Sequence, residues 1–277
     1  MAKKAAAKKA VKKPVKKAAK KAAKKAAPAK SSAPKGKAHL APYHVNSPEW
    51  HRVDEALKKR IASLPPNKAL HERALKIADI LQAEFPDATC ALYHDNALQL
   101  IVATILSAQC TDERVNMVTP ALFAKYPTAA DLANAPEGEL ERDIHSTGFY
   151  NNKAKSIRAC CREIVERFDG DVPEAMEDLL TLRGVARKTA NVVRTNVWKY
   201  PGLTVDTHFL RITKRLGLTD KDDPEKVEAD VANLLPPERW AHFCHSVILH
   251  GRKTCKARKP NCDECRLTQL CPSAFKA

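Results

Sequence analysis

One lysine in the sequence stands where amine chemistry is favoured. Lys188 lies in LRGVARKTAN at 182–191, between two segments, 173–182 and 189–198, whose apolar spacing predicts helices. Gly184 predicts a tight turn between them. The first amide groups of the second helix would then point outward at the positive end of its dipole, where a phosphate can bind.

The same helix start is expected to loosen the hold of Lys188 on its proton. The helix dipole and the adjacent Arg187 both disfavour a further positive charge. A neutral amine is what a Schiff-base mechanism requires. A lysine at a helix start is more often a phosphate contact, and these ten residues alone favour that simpler interpretation. The choice between the two depends on the rest of the sequence.

Four cysteines near the carboxyl end form a second chemical pattern. Cys255, Cys262, Cys265 and Cys271 are separated by six, two and five residues. Four thiolates so spaced can converge on one zinc ion or one iron–sulfur cluster, and their chemistry alone does not choose between these. Disulfides are disfavoured, because no secretory signal is present and the other five of the nine cysteines have helical or otherwise unpaired contexts. The basic residues of the loop between Cys255 and Cys262 would offset the negative charge of metal-bound thiolates, contact phosphate, or do both.

The positive charge is concentrated at one end of the 277-residue chain. The formal net charge is +16, from 48 basic and 32 acidic residues, yet residues 1–38 hold 15 lysines and no acid. The remainder, with 33 basic and 32 acidic residues, is nearly neutral. We expect residues 1–38 to be a disordered arm, resembling linker-histone-like tails, that adds sequence-independent and salt-sensitive DNA affinity. No run is apolar enough to span a membrane.

The body between the arm and the cysteines has the pattern of an all-α fold. Strand-like alternation is missing, and helical spacing recurs from residue 69 onward. Besides the two helices around Gly184, helices are predicted at 69–85, 98–106, 112–125, 129–135, 137–145, 152–168, 223–235 and 237–249, and another opens at Thr207.

Three motifs and the cysteine spacing together resemble the endonuclease III family of helix-hairpin-helix DNA glycosylases. The motifs are LRGVARKTANVV at 182–193, VDTHFLR at 205–211 and LHGRKTC at 249–255. The resemblance covers 70–271 and implies a two-lobed all-α fold with a [4Fe–4S] cluster held by the four cysteines. It implies a six-helix lobe at 90–200 with the hairpin at 180–198, and a cluster lobe at 69–89 plus 201–277. Residues 39–68 would be a linker.

The resemblance also implies an activity: removal of oxidised pyrimidines from damaged double-stranded DNA, followed by β-elimination 3′ to the abasic site. Lys188 would be the nucleophile and Asp206 its carboxylate partner. A carboxylate so near would favour the ammonium form, so Asp206 is better suited to stabilising charge on the sugar and assisting proton transfers. The simpler role for Asp206 is an N-cap of the helix beginning at Thr207, and both roles can coexist.

The same resemblance assigns residues to DNA contacts. Gln109, in LSAQCTD, corresponds to the glutamine that fills the space left by the flipped nucleotide, and Phe149 to the apolar residue that wedges into the duplex. Leucine is usual at the wedge position, and an isolated Phe is more often simple packing. The hairpin residues expected to meet the DNA backbone are Arg183, Gly184, Val185, Ala186 and Arg187.

The hairpin departs from the family's L-P-G-V-G pattern at two positions, where Arg183 replaces proline and Ala186 replaces the second glycine. If the backbone at Ala186 needed a positive φ, alanine would cost roughly 1 kcal/mol there. On that condition we predict that Ala186→Gly tightens DNA binding. Arg183 could compensate by contacting the DNA backbone.

Two alternatives stay open at this stage. An adenine-specific mismatch glycosylase shares the cluster and the aspartate but lacks the nucleophilic lysine and carries an extra C-terminal domain. A non-catalytic iron–sulfur DNA-binding protein would need neither Lys188 nor Asp206. We expect a monomer, located in the cytoplasm on the nucleoid if the source is bacterial and in the nucleus if it is eukaryotic.

Overall fold

Helices and their connections make up the whole of the described chain. The computed structural model describes His44 and residues 46–276, and every regular element in that part is helical. The all-α prediction is confirmed, while the proposed arm at 1–38 lies outside the described residues. The helices are α1 Glu55–Ala62, α2 Lys68–Glu84, α3 Ala97–Leu106, α4 Asp112–Lys125, α5 Ala129–Ala133, α6 Glu139–Asp143, α7 Tyr150–Phe168, α8 Met176–Leu179, α9 Arg187–Asn196, α10 Thr207–Arg215, α11 Pro224–Ala232 and α12 Trp240–Lys253.

Two separate hydrophobic cores lie within this body. The first draws its buried residues from Leu92 to Val193, and the second draws them from 53–85 and 203–267. In the first, α5 packs on α7 and α3 on α9; in the second, α10 and α2 pack on α12 and α11 packs on α1. The chain therefore leaves the second core after α2, builds the first, and returns.

Helix α3 is the centre of the first core. Its sequence is apolar on nearly all sides, as the pattern predicted, and eight of its ten residues are buried. Asn96 begins the helix by accepting a hydrogen bond from the N–H of Gln99 at 3.0 Å. The helix ends at Leu106, so the polar residues that follow in LSAQCTD leave from a buried helix of this lobe.

The segment assigned to a linker at 39–68 contains part of the second core. Helix α1 begins at its Asp54 cap, which accepts from the N–H of Leu57 at 3.0 Å. Val53, Leu57 and Ile61 are buried in that core. The linker assignment was wrong for these residues, because two apolar positions one turn apart give too short a pattern to distinguish a helix.

Several helix ends also differ from the prediction. The helix expected at 173–182 is a single turn, Met176–Leu179, and the one at 237–249 begins at Trp240 and continues to Lys253. Pro237 instead opens a short 3-10 turn. None of the described helices combines the length and apolar composition needed to cross a bilayer.

Candidate active site

A tight hairpin joins α8 to α9, as the sequence predicted. Gly184 takes the left-handed backbone conformation with φ +82°. The N–H of Val185 donates to the carbonyl of Leu182 at 3.1 Å, and the N–H of Arg183 donates to a carboxylate oxygen of Glu163 at 2.7 Å. The turn is therefore fixed both by its own backbone and by α7.

Ala186 is not strained in this turn. It precedes α9 with φ −86° and ψ 171°, extended backbone that any residue adopts. The positive φ falls only on Gly184 among the residues of the turn. The condition for tighter binding by Ala186→Gly is therefore not met, and no strain is available for that substitution to release. Ala186 also provides no side-chain cap, so the first-turn amides of α9 remain open to an outside acceptor.

Lys188 and Asp206 line one cleft between the two lobes. Lys188 is exposed in the first turn of α9, in the first lobe, and Asp206 stands at the start of α10, in the second. Both contribute to a cavity of about 110 Å³. The structure thus brings together an amine and a carboxylate that are 18 residues apart in sequence.

Asp206 is also the N-cap of α10. One carboxylate oxygen accepts a hydrogen bond from the N–H of Phe209 at 2.7 Å, and its backbone is extended with φ −98°. Capping fixes the carboxylate at the helix start and leaves lone pairs of both oxygens for other partners. Position in the cleft and capping therefore coexist, as the sequence allowed.

The cleft contains polar residues that the sequence interpretation missed. Ser107, Asp112, His245 and Arg252 line it, and Arg252 donates from Nη1 to Asp112 Oδ2 at 2.8 Å. Two signals for them were present, because Asp112 ends LSAQCTD and Arg252 lies in LHGRKTC. The packing of the two lobes brings these two motifs, which are distant in sequence, to the same cleft.

His245 is neutral at physiological pH. Burial lowers the pKa of its imidazole to about 4. Its Nε2 lies 3.2 Å from Oδ1 of Asn196, an oxygen that can only accept, so we assign the ring proton to Nε2. The imidazole therefore adds a fixed polar group, without charge, to the wall of the cleft.

Gln109 and Phe149 line a second, open cleft that also includes Lys188 and Gly184. Both have left-handed backbones, with φ 53° and 49°. Positive φ is uncommon for residues other than glycine, and such residues cluster at functional sites. Phe149 is 63% exposed, so the simple packing interpretation of this ring does not hold.

Two of the five hairpin residues expected to contact DNA have inward-facing side chains. Val185 is 4% exposed, and its N–H is already bonded to Leu182. The Arg187 guanidinium donates to Glu228 and, at 2.9 Å, to Oδ2 of Asp54. Neither side chain therefore faces outward, because the start of α9 packs against the second lobe, whereas the backbone N–H of Arg187 stays among the open first-turn amides. Arg183, Gly184 and Ala186 do face outward.

The carboxylate of Glu228 ties α9 to the second lobe. It is 2% exposed and also accepts from Nδ2 of Asn191 at 2.8 Å. Burial raises the pKa of this carboxyl, against the opposing effect of Arg187. Nη2 of Arg60 also lies 3.7 Å from a Glu228 oxygen, so two cations, two carboxylates and an amide form one largely buried network immediately beside Lys188.

The four C-terminal cysteines surround a single small cavity, and all four thiols are free. Nη1 of Arg215 donates to Sγ of Cys255 at 3.3 Å, and the N–H of Phe275 donates to Sγ of Cys262 at 3.5 Å. N–H donors directed at sulfur suit metal-bound thiolates. Across residues 46–276, no group of three or more His, Cys, Asp or Glu side chains is arranged to hold a metal ion. The four thiols thus border one common space.

The two lobes, the hairpin and the amine at its second helix define a helix-hairpin-helix DNA glycosylase. Residues 102–237 match the family described as HhH-GPD superfamily base excision DNA repair protein.

Among curated proteins, endonuclease III of Synechocystis sp. is 56% identical over 204 residues, which cover 73% of this chain and 93% of the relative. Endonuclease III of Bacillus subtilis is 45% identical over 202 residues, which cover 73% of this chain and 90% of the relative. A solved non-covalent endonuclease III–DNA complex superimposes with a TM-score of 0.72 and 42% identity, covering 74% of this chain and 97% of that one. The chain belongs to the endonuclease III family.

The buried network predicts different effects for two neighbouring arginines. Arg187→Ala removes the guanidinium that bonds to Glu228 and Asp54 and leaves Arg60, 3.7 Å from Glu228, as the nearest remaining cation, so we expect the free energy of unfolding to fall by about 3–5 kcal/mol. Arg183→Ala, at an exposed position, should change it by less than about 0.5 kcal/mol. Urea unfolding measures both. Unchanged stability of Arg187→Ala, with a reduced salt dependence of DNA binding, would instead identify Arg187 as a phosphate contact.

Proposed function

We propose that this chain excises oxidised pyrimidines from duplex DNA with Lys188 as nucleophile and Asp206 as its carboxylate partner. Its family makes it a base-excision-repair DNA glycosylase and abasic-site lyase. The observation that supports the residue assignment is the exposed amine at an uncapped helix start, in one cleft with a carboxylate fixed by capping.

The chemistry begins after the damaged nucleotide leaves the base stack, since C1′ is not accessible within it. The neutral amine of Lys188 forms a bond to C1′ while the bond from C1′ to the base breaks, and the base takes up a proton as it departs. The nitrogen then loses a proton, and the C1′–O4′ bond breaks as O4′ takes up a proton, which gives a protonated imine at C1′. The imine acidifies a C2′ proton, and its removal expels the 3′ phosphate as the C3′–O bond breaks.

Asp206 assists this sequence through charge and proton transfer. Its lone pairs not used for the Phe209 amide face the cleft, where they stabilise positive charge developing on the sugar. A carboxylate also accepts a proton from the lysine nitrogen once it has bonded to C1′, or from C2′. Cap geometry holds it in place during both steps.

The base-binding part of the cleft is proposed to be formed by Ser107, Asp112 and Arg252. Arg252 and Asp112 already pair at 2.8 Å, so their remaining donors and acceptors have fixed directions. An oxidised pyrimidine presents carbonyl and N–H groups that such a pair complements. Neutral His245 completes the wall without adding charge.

DNA is held at the hairpin and opened by two side chains from the adjacent cleft. The first-turn amides of α9 bind a backbone phosphate, with Arg183 at the edge of the contact. Gln109 fills the space vacated by the flipped nucleotide, and Phe149 wedges beside the opposite base. Endonuclease III has been solved as a non-covalent complex with DNA and as a trapped covalent DNA intermediate, an estranged-adenine complex, which supports DNA as the partner of this chain.

The four cysteines are proposed to hold a [4Fe–4S] cluster. They border one cavity, and N–H donors are directed at two of the sulfurs. Bound there, the cluster would tie the C-terminal segment to α10 and α12 and so position the basic loop for DNA phosphates. No electron transfer enters the excision chemistry.

The lysine-rich segment at 1–38 is proposed to supply general DNA affinity. Its 15 lysines without an acid match a phosphate backbone, while the remaining chain is nearly neutral. The curated relatives named above are bacterial, which supports a cytoplasmic, nucleoid-associated protein. One cleft for one flipped nucleotide supports a monomer.

Borohydride trapping tests the nucleophile. We expect the protein to become covalently attached to a duplex with thymine glycol when borohydride is present, because reduction fixes the imine. Lys188→Gln should abolish the adduct while binding an uncleavable abasic duplex with affinity within about threefold of the parent, since the phosphate contacts remain. Lys226→Gln, an exposed lysine on α11, is the matched control. An adduct that persists in Lys188→Gln would contradict the assignment.

Metal analysis tests the cluster. Cys262→Ser should lose iron and the broad visible absorption of an iron–sulfur centre, because one of four thiolate ligands is gone. Cys110→Ser, at a cysteine outside this cavity, should keep both. Anaerobically purified protein that contains zinc and no iron would refute the proposed cluster.

Deletion of residues 1–38 tests the basic segment. We expect the slope of log affinity against log salt concentration to flatten, by about 0.9 for each DNA phosphate that the protein no longer neutralises, with the preference among lesions unchanged. The matched control keeps all 38 residues and changes their 15 lysines to glutamine, which should reproduce the deletion. If the slope for both variants equals that of the parent protein, residues 1–38 do not supply general DNA affinity.

A further inference from the structure

A buried lysine connects the two segments that carry Gln109 and Phe149. Lys153, in the first turn of α7, is 4% exposed. Its ammonium donates to the carbonyl of Leu106 at 2.8 Å and to the carbonyl of Thr147 at 2.7 Å. Leu106 is the last residue of α3, three positions before Gln109, and Thr147 is two positions before Phe149.

This location is unfavourable for a cation. Burial lowers the pKa of Lys153, and the start of a helix disfavours positive charge. Among the residues that the structure describes, its hydrogen bonds go to two carbonyls, and no carboxylate pairs with it. A buried cation without a counter-charge is costly, so a role beyond stability is expected of it.

Both segments need an external support. Gln109 and Phe149 have left-handed backbones, which cost of order 1 kcal/mol or more for residues other than glycine. Each is exposed at the tip of its segment. The ammonium bonds to both chain segments beneath the surface of the cleft and so fixes their separation. The side chains of Gln109 and Phe149 both line that cleft.

We infer that Lys153 is a positioning residue that sets the spacing between Gln109 and Phe149, so that the two side chains enter the duplex together when the damaged nucleotide is flipped. Lys153 does not touch DNA in this role. The inference rests on the proposed insertion of Gln109 and Phe149. It makes the ammonium a determinant of flipping, separate from the chemistry at Lys188.

A fluorescent duplex tests the spacing independently of catalysis. 2-Aminopurine is placed opposite a stable tetrahydrofuran abasic analogue, and its fluorescence rises when inserted side chains unstack it. We expect a rise with the full-length protein and with Lys155→Met, an exposed lysine on the same helix, and none with Lys153→Met at saturating protein. Equal rises with Lys153→Met and Lys155→Met would overturn the inference, and so would the absence of a rise with the parent protein.

A double-mutant cycle distinguishes positioning from general stability. Lys153→Met should lower the single-turnover excision rate on a thymine glycol duplex by roughly 10- to 100-fold. In a Gln109→Ala, Phe149→Ala background the same substitution should cost less than about twofold, because the residues it positions are gone. The same loss in both backgrounds would mean that Lys153 only stabilises the fold, and the inference would fail.

Circular dichroism at the assay temperature checks that each variant is folded. If Lys153→Met does not fold, Lys153→Gln enters the same cycle, since its shorter amide can still donate to one of the two carbonyls. Failure of the proposed chemistry would be seen separately, as the absence of a borohydride adduct at Lys188. The fluorescence assay would still report on Lys153 in that case.

Discussion

The position of Lys188 depends on the buried ion network one residue before it. Arg187 reaches from the first lobe to Glu228 and Asp54 in the second, and Asn191 joins the same carboxylate one turn later. Buried ion pairs add little net stability, because desolvation offsets their attraction, but they tolerate few geometries. The network therefore fixes the start of α9 relative to α11 and the cap of α1, and α11 in turn packs on α10, which begins at Asp206.

Close packing around this network leaves little freedom. A Cβ on Gly202 would lie 2.9 Å from Oδ1 of Asn191, so the segment that returns the chain to the second lobe needs a glycine there. Lys153 provides a comparable constraint at the other cleft, through two backbone carbonyls in place of carboxylates. In both places one buried cation joins segments that are distant in sequence. At each cleft, these contacts hold exposed residues where the substrate can reach them.

The net positive charge and the polar groups that line the cleft lie in different parts of the sequence. The segment at 1–38 holds nearly all of the net positive charge, whereas the cleft contains paired Asp112 and Arg252 and a neutral His245. Affinity for a phosphate backbone carries no information about the base, so it does not have to come from the residues that line the cleft. The cleft is then free to discriminate by hydrogen bonds and shape.

The sequence by itself determined the helical class, the hairpin with its glycine, the candidate amine and carboxylate, and the four clustered cysteines. These follow from periodicity and short spacings, which are local properties. It was insufficient where the signal was short or the partner distant: α1 was taken for linker, and the partners of the Arg187 side chain in the second lobe were not foreseen. Only the tertiary structure decided that Arg187 faces inward, that Ala186 is unstrained, that Asp112 meets Arg252, and that Lys153 bonds to the carbonyls of Leu106 and Thr147. The reason is physical: side-chain direction, burial and backbone φ at these positions depend on packing between segments that are distant in sequence, which no single stretch contains.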